Sequence, residues 1–124
     1  MERKLAKIVI VDAINSIENA DAIEVAKVGG WNVVVKKGEF TPLQKAVYFE
    51  IDSWIPEHIA SFLFEGKEFN GVKGARLRTK KLRGVISQGL LIPVPEQYYT
   101  LEEGTDVTEL FGVQKWEKPL PEQL

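Results

Sequence analysis

The sequence predicts an all-β fold, a small closed barrel of about five strands. Three observations carry that expectation. Four stretches rich in Ile and Val, with strand-like patterning, fall within the first 51 residues. Gly29-Gly30 sits between two of them as a tight hairpin signal. Residues near 75–94 then supply a last long strand pair, or one strand bent at Gly84.

The elements follow in order. "LAKIVIVDAINSI" (Leu5–Ile17) reads as one long first strand. Its apolar residues fall on both parities, as expected of a strand covered on both faces. "ENAD" is a turn by composition, and "AIEVAKV" (Ala22–Val28) is the second strand. In "WNVVVKK", Trp31, Val33 and Val35 share one face. Gly38 and Pro42 break the pattern before "KAVYFEI". There alternation puts Val47, Phe49 and Ile51 inward and Ala46, Tyr48 and Glu50 outward. A short helix is expected from Pro56 to Gly66, because Ile59, Phe62 and Leu63 repeat at helical spacing. A second is expected to run to Phe111, where Asp106 and Glu109 have capping-box spacing. The set describes a five-stranded OB-type barrel with one or two short helices; an SH3-like barrel is the competing small β-barrel. Residues 1–112 form the expected module. Residues 113–124, with Pro119 and Pro121, read as an extended linker.

Composition narrows the chemistry. The chain has 124 residues, enough for one domain with an ordinary core. It lacks cysteine, which excludes disulfides, thiolate nucleophiles and cysteine-based metal sites, and fits a reducing, cytoplasmic setting. His58 is the only histidine and has no nucleophile near it in sequence, so no catalytic residue is assigned. Glu50 and Asp52 share a strand face and could hold Mg²⁺; the commoner reading is exposed strand-end charge, and no metal site is assigned. No apolar run approaches the roughly 20 residues that span a bilayer.

Charge is the informative feature. Lys73–Arg83 holds six basic residues and no acid; the rest of the chain has 10 basic against 18 acidic residues. On a strand, Arg76, Arg78 and Lys80 share a face, a row spanning about 13 Å. Lys81 and Arg83 reverse that parity. Such a stripe suits phosphates, onto which guanidiniums fork and lysines act as point charges. The plainer reading is a solvated strand face whose charges resist aggregation. The closing "RGVISQG" has Ser87 and Gln88 between two glycines. It lacks the form of a P-loop, and a bend in a barrel strand explains both glycines. Among the aromatics, Tyr48 is expected outward and Trp54 in a polar turn. Trp31, Phe49 and Phe62 are expected in the core.

Four segments together resemble one family. "ADAIEVAKVGGWNVVVKKGEF", "AVYFEIDSWIP" and "LRTKKLRGVISQGLLIP" are similar, in order and spacing, to the OB module that precedes the nucleotidyltransferase domain in a family of ATP-dependent RNA ligases. "FGVQKWEKPLP" resembles that family's link into the catalytic domain. A fainter likeness, in "ENADAIEVAKV", is to tRNA-binding OB domains. The ligase resemblance implies a module that holds RNA or a nicked RNA-containing duplex. It also implies a C-terminal nucleotidyltransferase domain as partner, and ATP and Mg as cofactors of that domain. The K-x-D-G motif of the adenylated lysine is absent from these residues, so no cofactor is expected in this chain. The basic positions that carry over are Arg78, Lys80, Lys81 and Arg83, then Lys36 and Lys37; Lys73 and Arg76 complete the stripe. A protein-docking role for the same stripe is the alternative.

Overall fold

The computed structural model describes residues 4–61, 66–82 and 84–117. Its regular structure is almost wholly β. The first arm is β1 (Ala6–Ile10) and β2 (Ala13–Ser16), followed by β3 (Ile23–Val28), β4 (Trp31–Lys36) and β5 (Lys45–Phe49). Next come β6 (Ser53–Pro56), β7 (Lys67–Phe69) and β8 (Val72–Arg76). The last strands are β9 (Lys80–Leu82), β10 (Val85–Ser87), β11 (Leu90–Pro93) and β12 (Gln114–Lys115). They form four open sheets, ordered β1-β5-β11, β2-β3-β4, β12-β6-β8-β7 and β10-β9.

The single first strand expected from sequence is two. β1 pairs with β5, Ala6 opposite Phe49, whereas β2 pairs with β3, Ala13 opposite Lys27. Between them the chain passes from one sheet to the other at Val11-Asp12. The hairpin at Gly29-Gly30 forms as expected, with Val28 opposite Trp31.

Two cores result. One gathers Val9, Val11, Val28, Val33, Val35, Tyr48 and Leu91 on the inner faces of β1, β3, β4, β5 and β11. The other gathers Ala6, Ile8, Val47 and Phe49 from the opposite faces of β1 and β5. It adds Ile55, Leu77, Val107, Phe111 and Val113 from the later elements. β5 therefore has no solvent face. Ala46 and Tyr48, expected outward by alternation, are 0% and 1% exposed, because each parity of this central strand serves a different core. Trp54, expected in a turn, is buried on β6 and donates its Nε1–H to the Val72 carbonyl at 2.8 Å.

Over the described residues the expected helices are replaced by turns, apart from Ser61, which is in 3-10 conformation. Pro56 ends β6, opposite Gly74, and residues 57–59 make a turn closed by the Ile59 N–H on the Pro56 carbonyl. Phe62 and Leu63 lie outside the described residues. Near residue 106, the Asp106 carboxylate accepts the Thr108 N–H and hydroxyl, an Asx turn two residues on rather than a capping box. Thr108 Oγ also accepts the Leu5 and Ala6 N–H groups, which ties the turn to β1. A single turn, with Phe111 N–H on the Val107 carbonyl, replaces the helix. The 3-10 turn Glu96–Tyr98 was not anticipated. Among the described residues no helix is long and apolar enough to cross a membrane.

Candidate nucleic-acid interface

The basic stripe is not one strand. β8 ends at Arg76 and β9 begins at Lys80, so the expected row of Arg76, Arg78 and Lys80 is broken between them. The break follows from the core: buried Leu77 gives its N–H to the Ser53 carbonyl and accepts the Asp52 N–H, still anchored beside β6. Beyond it the chain leaves the sheet and turns back as the β9–β10 hairpin. Lys80 lies opposite Ser87, Lys81 opposite Ile86 and Leu82 opposite Val85. Gly84 takes the left-handed conformation, φ +81°, that the two-residue turn requires.

Ser87 holds this hairpin on the body of the domain. Its buried hydroxyl accepts the Val34 N–H at 2.9 Å, and the Gln88 N–H donates to the Asn32 carbonyl at 2.9 Å. The Tyr48 hydroxyl donates to the Gln88 carbonyl. The Ser-Gln element thus spends its polar groups on β4 and β5. Gly89 completes the bend at φ +103°; a Cβ there would lie 2.5 Å from the Phe49 carbonyl oxygen and against the Tyr48 ring. Of the two readings of "RGVISQG", the bend is the one the hydrogen bonds match.

The basic residues sort into two groups. Arg78, Lys80 and Lys81 are exposed, and their side chains make no ion pair or hydrogen bond with a described residue. Lys80 shares a face of the ribbon with Ser87, and Lys81 shares the other with Ile86, which is 52% exposed. Arg76 differs: its Nε and Nη2 donate to Asp52 Oδ1 at 3.0 and 2.7 Å. Its guanidinium stacks 3.9 Å from the Trp116 ring centroid. Asp52 is one of the two carboxylates weighed for Mg²⁺; it and Glu50 lie between β5 and β6 rather than on one strand face. Lys73 is exposed on β8 opposite Glu68. Arg83 lies outside the described residues.

Lys36 ends β4 and Lys37 follows it, both exposed. Two bonds join β10 to β4, from the Val34 N–H to the Ser87 hydroxyl and from the Gln88 N–H to the Asn32 carbonyl. Residues 113–117, read from sequence as linker, lie along the domain: Gln114 pairs opposite Trp54 and the Trp116 N–H donates to the Asp52 carbonyl.

One exposed ring was misplaced by sequence reasoning. Trp31, expected in the core, is 40% exposed. It has the inward parity of Val33 and Val35 but stands first on its strand, after the Gly29-Gly30 turn, where no further turn of strand covers it. That position was the available signal. Phe49 is fully buried as expected, and Phe62 lies outside the described residues.

An open-sheeted, all-β module with a projecting basic hairpin is the class these features define. An OB-fold domain family model matches residues 5–94, and the chain belongs to that family. Among solved structures, an RNA ligase of Naegleria gruberi with PPi superposes at a TM-score of 0.88 and 42% identity. That match covers 97% of this chain and 37% of the ligase. The same ligase as a mutant with AMP and Mn gives 0.86 at 44% identity, covering 94% of this chain and 36% of that one. Another mutant, with ATP and Mn, gives 0.85 at 43% identity, over 94% and 36%. The chain thus spans little more than a third of the ligase it matches. Among curated proteins, none matches the chain.

Proposed function

We propose that this chain is the nucleic-acid-binding OB module of an RNA ligase. In this reading it holds RNA or a nicked RNA-containing duplex for sealing of a 3′-OH to a 5′-phosphate. The nucleotidyltransferase domain that would carry the ATP, the Mg and the adenylated lysine is outside these residues. The single observation that carries the reading is the β9–β10 hairpin. An acidic chain concentrates uncommitted side-chain cations here, Lys80 and Lys81 on the ribbon and Arg78 just before it. Similarity above 40% identity to an RNA ligase supports the same reading. Phosphates would meet these three residues first. Arg83 and Lys73 extend the strip in sequence, and exposed Lys36 and Lys37 are further candidate contacts. Arg76, tied to Asp52, serves the domain's own packing.

The sheets together make the five-stranded barrel expected from sequence. In support, the neighbours run in a ring. β2 pairs with β3 and β3 with β4; β10 is bonded to β4 through Ser87 and Gln88. β11, which continues β10, pairs with β5, and β5 with β1, which continues into β2. The module boundary then falls at or beyond Trp116, whose backbone and ring are bound to the Asp52–Arg76 pair, and the chain works in the cytoplasm.

The test is titration of a nicked RNA-containing duplex with this chain, beside incubation with labelled ATP and Mg²⁺. Duplex binding without covalent labelling is the expected result, since K-x-D-G is absent here. Stoichiometric labelling would sink the accessory role. Binding to a separate nucleotidyltransferase domain, with no binding to nucleic acid, would make the strip a docking surface.

A further inference from the structure

A cleft of about 190 Å³ opens between the β3–β4 turn and the loop at Glu103, with β1 as its floor. Trp31 and Tyr48 border it, with Lys7, Asp12 and Glu103 at its rim. Its distinctive feature is main chain. Odd-numbered residues of the first arm bond toward β5: Leu5 accepts the Glu50 N–H, and Val11 bonds Gln44 and Leu43. Even-numbered residues therefore point to the opposite edge. On that edge Ile8 is satisfied, its N–H on the Thr105 carbonyl and its carbonyl accepting the Gly104 N–H. The Asp12 N–H is satisfied by the Lys27 carbonyl. Ile10 lies between them, and its N–H and C=O meet no described residue. They face the cleft that Ile10 lines.

We propose that this cleft binds one nucleobase, stacked on Trp31, with its donor–acceptor edge read by the Ile10 N–H and C=O. The inference rests on the nucleic-acid reading above and adds a base site to the phosphate strip. Three considerations select a base. The free edge is one residue long, closed by the Gly104–Thr105 segment on one side and Lys27 on the other, so an added β-strand has no room. Every nucleobase carries an adjacent donor and acceptor that match one extended residue. The volume is below the roughly 300–1,000 Å³ of sites for drug-sized ligands, and so suits one ring system. The rim charges agree: two carboxylates against Lys7 disfavour a phosphate inside, and they can accept exocyclic amino groups. Asp12 is already oriented, since its Oδ2 accepts the Gly29 N–H at 2.8 Å. The base can belong to a strand passing the hairpin or to a free nucleotide; the chemistry is shared.

Amide NMR of this chain tests the proposal, using a short single-stranded RNA, the same strand with an abasic site, and AMP. RNA should shift the Ile10 amide and the Trp31 indole. The abasic strand should move the hairpin amides while leaving Ile10 largely unmoved. Trp31→Ala should weaken RNA binding about tenfold, from the loss of one stacked base. Trp31→Leu, which keeps apolar bulk without the broad π face, should lose a similar amount in a folded chain. An Ile10 shift with RNA alone assigns the base to a strand, and a shift with AMP at comparable concentration assigns it to a free nucleotide. RNA that moves Lys80–Leu82 but neither Ile10 nor Trp31 overturns the base site and leaves the phosphate strip standing. If neither RNA nor AMP moves any signal, both fall.

Discussion

Ser87 shows how much of the interface depends on one small side chain. Its hydroxyl satisfies the Val34 N–H at a position where the two strands form no ladder. Ser87→Ala leaves that N–H without its acceptor, which should cost about 1–3 kcal/mol. Urea denaturation measures the loss, and faster hydrogen exchange at Val34 would locate it. Gly89 is stricter still. Gly89→Ala combines a left-handed φ with a clash against the Phe49 carbonyl, and should cost at least as much. Asp106 carries the clearest pH signature. Hydrogen bonds from the Thr108 side chain and backbone hold its carboxyl below the usual value of 3.8. A depressed folded pKa means that its contribution is present above the unfolded value and is lost as pH falls through the folded one. Asp106→Asn should therefore lower Tm by a constant amount above pH ~4, and the difference should shrink at lower pH. A difference unchanged down to pH ~2 would refute the assignment.

At the scale of elements, strands were legible and their interruptions were not. Alternation in "WNVVVKK" and the Gly29-Gly30 turn located β3 and β4 within a residue, because a hairpin with one covered face writes both signals locally. The split of the first strand at Val11-Asp12 depends on which partner each half meets, and that is not local information. The same holds for β5, where Tyr48 reads as outward until a second core occupies its other parity. The capping-box spacing at Asp106 failed because Thr108 competes for the same carboxylate and is itself anchored to β1. Among the basic residues, sequence reasoning found the strip but could not separate Arg76 from Arg78. The separation rests on Asp52 and Trp116, 24 and 40 residues away. The strand pair about Gly84 was one of the two readings, but the break between Arg76 and Lys80 was missed, since an unbroken strand gave the same charge pattern.

At the scale of the molecule, two cores back to back explain how a small domain can carry a protruding hairpin. The inner core fixes β4, the strand to which the hairpin is bonded. The outer core is closed by later residues, with the Phe111 ring 5.7 Å from Phe49 and 5.8 Å from Tyr98. Phe111→Ala should lower stability by about 3–5 kcal/mol in denaturant titration, while any remaining folded fraction keeps its nucleic-acid affinity. The central claim is that Arg78, Lys80 and their neighbours meet phosphates, and salt dependence tests it most directly. With about four contacts to a single strand, log K should fall against log salt with a slope near −3. Changing Arg78 and Lys80 together to Ala should flatten that slope by about 1.4 and weaken all sequences alike. A folded double variant that binds single-stranded RNA with the wild-type affinity and slope would contradict the account.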